Sequence, residues 1–493
     1  VDRKNFSTVG AILLIAAILA GASFLLFYHI GAQPLHNDEA RYSEVVTESF
    51  LHSDHYFDLY YRGTPYFNKP PLLFWFIYVA HDVVPNMQTA VRLPSVIGGV
   101  LLVAAVILIV FEATGSLYAA AFGGGILATM ASYIYLTRSG RFDSLATLFV
   151  ALSAYSCVRA FKDSRWFLIF GACVGLTLMM KGPVVIFAII PALSIAWAYR
   201  RMDWLWDPYF WGGVGVALVI TLPWHIYETI LYGGAFWNEY VLQQIIGRVQ
   251  ENIVSISLPL TNQNYVSYFF TYLAPWSELF CLGLVAAPYM WSRFSKKAQV
   301  YFFVSVIQVV SVLAVCFLVQ SKAFRYLIPL YPFIAIAGAI VVYELTRLCS
   351  PVIRVALMAG CIVLGVAAFG WSAYNGFVLN PSYPYSTDTP VAAQDEKNVA
   401  EILVSRHAPM FYVDNTADIG AIMYYSQLIQ PYYFPLYGYY PGLYFVLPSS
   451  YVPTFENAHP RMEFNILYEG GDLMLAQELG EAGECVVAPY CST

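Results

Sequence analysis

The chain has 493 residues, of which 59% are hydrophobic and 11% charged, and it carries a formal charge of −6. Soluble domains hold roughly a quarter charged residues, so this composition excludes an ordinary soluble protein and points to many membrane spans. The mildly acidic balance gives no basis for nucleic-acid binding, and an aromatic share of 17% suits broad interfacial belts of Tyr and Trp.

Apolar runs predict about eleven spans. They lie near residues 9–30, 92–111, 117–136, 143–160, 166–181, 183–199, 210–229, 269–291, 299–319, 326–345 and 352–372. The fifth and sixth could form one broken hairpin. The run at 72–84 is short and ends in His81-Asp82, which predicts an interfacial helix. With the N-terminus inside, Arg3, Lys4, Lys162, Arg165, Arg200, Arg201, Arg293, Lys296, Lys297, Arg347 and Arg354 share the inner face, as the positive-inside rule requires. Residues 31–91 and 230–268 are then long outer loops. The expected organisation is a membrane module over 1–372 and an outer tail domain over 373–493.

The tail alternates apolar and polar residues in Met410-Phe411-Tyr412-Val413 and Tyr444-Phe445-Val446-Leu447, which predicts strands in a small α/β domain. Cys485 and Cys491 close a short loop there. They pair if that end faces an oxidising compartment; two free thiols are the alternative.

A second set of cations breaks the inside rule. Arg41, Arg62, Lys69, Arg92, Arg138, Arg141, Lys181, Arg248, Lys322 and Arg325 fall on or near the outer side. Either they pair with acids such as Asp38, Glu39, Asp143 and Glu239, or they serve a phosphate-bearing ligand at the outer leaflet. Few acids are available on that face, which favours the ligand for the set as a whole.

Four places could carry chemistry. After the first span, Asn37 can cap a helix whose first turn holds Asp38 and Glu39, with Arg41 on the same face as Asp38. That face offers a carboxylate and a cation; the plainer alternative is a capped surface helix. Asp143 follows Arg138 and Arg141 at the start of a span, as a site wall or as their salt-bridge partner. Lys69 before Pro70-Pro71, Lys181 before Gly182-Pro183, and Lys322 and Arg325 in Ser321–Tyr326 sit in stiffened basic turns. Arg248 ends an amphipathic interfacial helix over 235–249 and could reach a phosphate. No zinc-type Cys spacing occurs.

Taken in order, these motifs resemble the GT-C superfamily of membrane glycosyltransferases. The likeness is to the bacterial aminoarabinose (lipid A) transferases and their relatives among the protein O-mannosyltransferases. It rests on Asp38-Glu39-Ala40-Arg41, Gly63–Pro71, Arg92-Leu93-Pro94-Ser95, Arg141-Phe142-Asp143, Lys181-Gly182-Pro183 and Ser321–Pro332, across about 370 residues. The resemblance implies a polyprenyl (undecaprenyl) phosphate sugar donor and transfer on the periplasmic face of the bacterial inner membrane. It places catalysis on Asp38 and Asp143. It places donor phosphate binding on Arg41, Lys69 and Arg248, with Tyr66 beside them.

Two departures bear on metal. The transferases usually carry Glu before the lysine matching Lys69 and often His where this chain has Gln244; here Asn68 and Gln244 are poor zinc ligands. No metal and no cofactor are therefore expected. The expected activity is a metal-independent inverting transfer to lipid A, lipopolysaccharide or another envelope glycan, by a monomer. A protein acceptor is the alternative within the same fold. A lipid or solute transporter is the alternative from another class, which would place its charges near the bilayer midplane.

Overall fold

The computed structural model describes residues 3–349 apart from 36, 37, 54, 251–261 and 321, and in the remainder chiefly 390–408, 412–413, 420–426, 432–433, 444–448, 464–470 and 473–478. These residues fall into two compact units. One comprises 1–30, 66–85 and 92–381; the other comprises 31–65, 86–91 and 382–493.

The first unit is helical. Among the described residues, five helices are long and apolar enough to cross a membrane: Thr8–Phe27, Met87–Thr114, Pro208–Tyr232, Lys296–Leu318 and Phe324–Leu348. The chain thus reads as an integral membrane protein. Local sequence sets several helix starts. Ser116, Asp207 and Ser295 each accept a backbone N–H of the first turn, from Ala119, Tyr209 and Ala298 respectively.

Two spans expected to be continuous are bent. Leu117–Ala128 and Ala131–Arg138 meet at 64°, and Asn262–Tyr272 and Trp276–Arg293 meet at 97°. At the first bend the Thr129 hydroxyl and N–H both return to the Gly125 carbonyl, at 2.7 and 3.1 Å, and Met130 turns extended. At the second, Pro275 supplies no N–H to continue the helix. Counting each bent pair as one span gives up to seven. The expected spans near 143–160, 166–181 and 183–199 are helices of 17, 15 and 14 residues, Asp143–Arg159, Trp166–Met180 and Val185–Ala198. Most of the expected span 352–372 lies outside the described residues. The run at 72–84 forms a helix of 12 residues, Leu72–Val83.

Small residues set the closest helix crossing. A Cβ on Gly171 would lie 1.9 Å from the Gly213 carbonyl oxygen, and one on Gly213 would lie 2.2 Å from the Phe167 carbonyl oxygen. The backbones of Trp166–Met180 and Pro208–Tyr232 therefore touch, which is how helices associate where apolar burial gives no preference for protein over lipid.

Charges in this unit tie helices together. Glu112 Oε1 accepts from Lys297 Nζ at 2.5 Å and lies 3.2 Å from Arg159 Nη1, joining three helices. Arg138 donates to the carbonyls of Leu25 and Tyr28, at 2.6 and 2.7 Å, and Arg92 donates to that of Ile30 at 2.7 Å. These two outer cations close the C-terminal end of the first helix, where a positive charge also meets the negative end of the helix dipole.

In the second unit, strands β1 (Tyr60–Tyr61) and β2 (Thr64–Pro65) form an antiparallel hairpin. Strands β3 (Tyr412–Val413), β4 (Tyr432–Tyr433), β5 (Tyr444–Pro448), β6 (Phe464–Gly470) and β7 (Leu473–Glu478) form one sheet in the order β4-β3-β5-β7-β6. β3 runs parallel to β4 and β5, while β7 is antiparallel to β5 and β6. Val399, Ala400 and Leu403 from helix Pro390–Ser405 pack on Val446, Leu473 and Leu475 of the sheet. The loop helix Asp38–Val46 packs on helix Gly420–Ser426. Leu35 N–H donates to the Tyr425 hydroxyl at 2.7 Å, and Gln88 Nε2 donates to it at 3.0 Å. The first loop is thereby built into the tail fold.

Gly171→Leu should destabilise the protein strongly, by about 3 kcal/mol or more, because the side chain overlaps backbone that cannot yield. Thermal unfolding in detergent reads this as a lowered midpoint; an unchanged midpoint would show that the crossing is looser than described.

Candidate active site

Each unit holds part of the candidate chemistry. In the second unit, Asp38 and Glu39 fill the first turn of Asp38–Val46, where the helix dipole favours carboxylates. Asn37, the expected cap, lies outside the described residues. Arg41 Nη1 stands 3.7 Å from Asp38 Oδ1, so the spacing read from the sequence brings these two side chains together. Glu39 is buried, and its carbonyl accepts from the Ser43 hydroxyl at 2.8 Å.

The same helix carries a residue that sequence reasoning missed. Glu44 lies 3.7 Å from Arg62 Nε. Burial pushes its carboxyl up to about 7, against the opposing pull of Arg62 and Arg41. Its place three residues after Arg41, on the same helix face, was the available signal.

In the first unit, Asp143 opens helix Asp143–Arg159 and is buried. Its partner is Lys181, whose Nζ donates to Oδ1 at 2.5 Å. The sequence pointed to Arg138 or Arg141 instead. Arg138 caps the first helix, and Arg141 exchanges backbone bonds with the Ser95 hydroxyl at 2.5 and 3.0 Å. Lys181 can reach Asp143 because the chain breaks there: helix Trp166–Met180 ends, Lys181 is extended, and a short 3-10 turn Gly182–Val184 follows. The Lys181 ammonium also stands 5.2 Å from the Tyr326 ring centroid, and the Arg325 guanidinium 5.7 Å from the same ring. Lys181, which holds Asp143, and Arg325 thus stand against one aromatic ring.

Tyr66 is buried edge-on to Phe74, which meets Phe142, the residue before Asp143. Lys69 Nζ donates to the Asn68 carbonyl at 3.1 Å within its own proline-stiffened turn. The Asn68 side-chain oxygen accepts a hydrogen bond from Gln244 Nε2. The two positions that depart from the transferase pattern are therefore in contact, as an amide pair. Gln244 belongs to a π-helical stretch, Asn238–Gly247, where a plain amphipathic helix was expected. That stretch lies close to the Lys181 turn, since a Cβ on Gly182 would be 2.7 Å from the Tyr240 hydroxyl.

Lys322 has a different post. Its ammonium donates to the carbonyls of Cys316, Phe317 and Val319, at 3.1, 3.3 and 2.8 Å, and closes the C-terminal end of Lys296–Leu318. Arg248 begins a short helix, Arg248–Gln250; its side chain lies outside the described residues, as do Cys485 and Cys491. Among the described residues no group of three or more His, Cys, Asp or Glu could hold a metal ion.

The chain is similar to known proteins in fold and, over part of its length, in sequence. A family described as dolichyl-phosphate-mannose-protein mannosyltransferase matches residues 68–227. ArnT from Cupriavidus metallidurans bound to undecaprenyl phosphate aligns over 95% of this chain and 98% of its own, at a TM-score of 0.68 and 17% identity. This chain shares the fold of that structure. The Archaeoglobus fulgidus oligosaccharyltransferase, in complex with Zn and sulfate, shares it at a TM-score of 0.55 and 10% identity, over 95% of this chain and 73% of that one. In sequence, the undecaprenyl phosphate-alpha-4-amino-4-deoxy-L-arabinose arabinosyl transferase of Pseudomonas savastanoi pv. phaseolicola is 27% identical over 245 residues, 47% of this chain and 44% of that protein. An uncharacterized protein of Aquifex aeolicus is 21% identical over 332 residues, 65% of this chain and 62% of that protein. The chain thus spans less than two thirds of the length of these two relatives.

Removing one member of the buried Asp143–Lys181 pair should cost about 3–5 kcal/mol, because the other is left charged and unpaired. Lys181→Met is therefore expected to unfold well below the wild type in detergent. The double change Asp143→Leu with Lys181→Met should regain most of the loss. Equal midpoints for Lys181→Met and the wild type would show that the pair is not buried as described.

Proposed function

We propose that this protein transfers a sugar from a polyprenyl phosphate, undecaprenyl phosphate in bacteria, to lipid A, lipopolysaccharide or another envelope glycan. Transfer takes place at the periplasmic face of the inner membrane. The observation that carries the reading is the near full-length likeness to a transferase structure bound to undecaprenyl phosphate. The ordered motifs Asp38–Arg41, Tyr66–Lys69, Asp143 and Lys181 support it.

The chemistry is an inverting displacement at the anomeric carbon. The acceptor oxygen attacks, the bond to the lipid phosphate breaks, and the phosphate leaves as an anion. Arg41, Lys69 and Arg248 are the cations proposed to stabilise charge growing on that phosphate, with Tyr66 beside Lys69. Arg325 adds positive charge near Lys181. An ionised phosphate needs no proton in order to leave, so cations suffice where other enzymes use a general acid or a metal. Asn68 accepts a hydrogen bond from Gln244, and neutral amides are poor ligands for zinc, which supports metal-independent transfer.

Asp38 is proposed to face the acceptor. If the acceptor is a phosphate oxygen, already ionised at neutral pH, Asp38 orients it. If it is a hydroxyl, Asp38 removes its proton as attack proceeds. Asp143, held by Lys181, supports the acceptor side. The description of the matching family favours a second reading, in which the acceptor is a protein hydroxyl. Mass spectrometry of lipid A, glycans and envelope proteins from cells with and without this protein separates the readings by which species loses a sugar.

Asp38→Asn should fold normally and lose transfer by about 10²-fold or more if the acceptor is a hydroxyl, since that is the span of general-base effects. A variant that transfers at the wild-type rate would remove Asp38 from the mechanism. Metal dependence has its own check. Purified protein treated with a strong chelator is expected to keep its full rate, and a loss that added divalent cation restores would overturn metal independence.

A further inference from the structure

The β1–β2 hairpin turns on two residues, Arg62 and Gly63, both with positive φ, 57° and 71°. A two-residue turn of this kind favours Asn-Gly, and an arginine there is strained. Its surroundings hold it in place. The Arg62 guanidinium stands 4.6 Å from the Tyr61 ring centroid, its Nε is 3.7 Å from Glu44 Oε1, and Gly63 N–H donates to Glu48 Oε1 at 2.6 Å. Tyr61 is hydrogen-bonded to Arg41. Two guanidiniums, Arg41 and Arg62, therefore flank one tyrosine and one carboxylate. Glu44 Oε2 is buried without a hydrogen-bond partner.

We propose that Glu44 is a positioning residue for phosphate recognition: ionised, it holds Arg62, and on gaining a proton it releases Arg62 as a second guanidinium beside Arg41 for the anionic donor. The proposal rests on the reading of Arg41 as a phosphate-binding cation.

The charge balance supports it. With Glu44 ionised, Asp38, Glu44 and Glu48 face Arg41 and Arg62, so acids outnumber bases. With Glu44 neutral, the two signs balance and the site repels an anion less. The titratable residues of helix Gly420–Ser426, which packs on the same helix, are Tyr424 and Tyr425; they add no charge at neutral pH. Burial, with Glu48 adding to it, places the carboxyl's titration near 7, against the pull of Arg62 and Arg41. Proton uptake at Glu44 and phosphate binding then favour each other reciprocally.

The test measures binding of undecaprenyl phosphate to the full-length protein in detergent, from about pH 5.5 to about pH 8.5, for wild type, Glu44→Gln and Arg62→Asn. The lipid's own titration is common to all three, so the ratios carry the information. Glu44→Gln should match wild type at the acid end and bind about threefold or more tighter at the alkaline end. Arg62→Asn, which creates the favoured turn and so folds safely, should weaken binding most at the acid end. A wild-type to Glu44→Gln ratio that is constant across the range overturns the proposal, as does wild-type binding by Arg62→Asn. Failure of all three proteins to bind at any pH overturns the phosphate reading itself. A second readout is independent of ligand. The folded carboxyl titrates near 7 and the unfolded one near 4.5, so the folded state holds the extra proton between these values and stability falls as pH rises through them. The wild type should show that fall in its thermal midpoint, and Glu44→Gln should lack it.

Discussion

A charge inside an apolar bundle must find a partner, and this one constraint organises the membrane unit. Asp143 and Lys181 meet at the start of one helix and the break after another. Glu112 gathers Lys297 and Arg159 from two further helices. Arg92 and Arg138 close the first helix, and Lys322 closes the helix ending at Leu318. Each contact fixes an angle or an end that apolar packing would leave free, because apolar side chains lose little by sliding against lipid. Glycine supplies the complementary constraint. Gly171 and Gly213 let two backbones touch, so the helices they carry keep one crossing and the following turn at Lys181 keeps one position.

This constraint also divides the outer cations. Counted together, they looked like a single phosphate-binding set. In the structure three of them, Arg92, Arg138 and Lys322, serve helix ends. Lys181 serves Asp143. The cations proposed for phosphate are a narrower set: Arg41 with Asp38 on the loop helix, Arg62 at the hairpin tip, Lys69 in its stiff turn, Arg248, and Arg325 by Tyr326. A carbonyl at a helix end and a phosphate oxygen attract an arginine for the same reason, so charge and position along the chain could not tell them apart.

The Asn68–Gln244 contact carries a related lesson. In sequence the two residues are 176 positions apart, and each was a separate departure from a pattern. Together they are one feature, an amide pair joining the Lys69 turn to the π-helical stretch. One amide donates to the other without net charge, whereas an isolated change to a neutral residue would leave a charged partner exposed to an apolar border.

Hydrophobicity alone determined the membrane class, most helix positions, and the strand-forming stretches of the tail, because those follow from local periodicity and length. The motif order determined the family likeness and the pairing of Asp38 with Arg41, which one helical turn enforces. Tertiary structure decided the rest. The bends after Ala128 and before Trp276 depend on how a threonine or a proline is met by neighbouring backbone. The partner of Asp143 depends on where a distant helix ends. The standing of Glu44 depends on burial beneath a hairpin tip, and burial is a property of everything that surrounds a residue, which its neighbours in sequence do not specify.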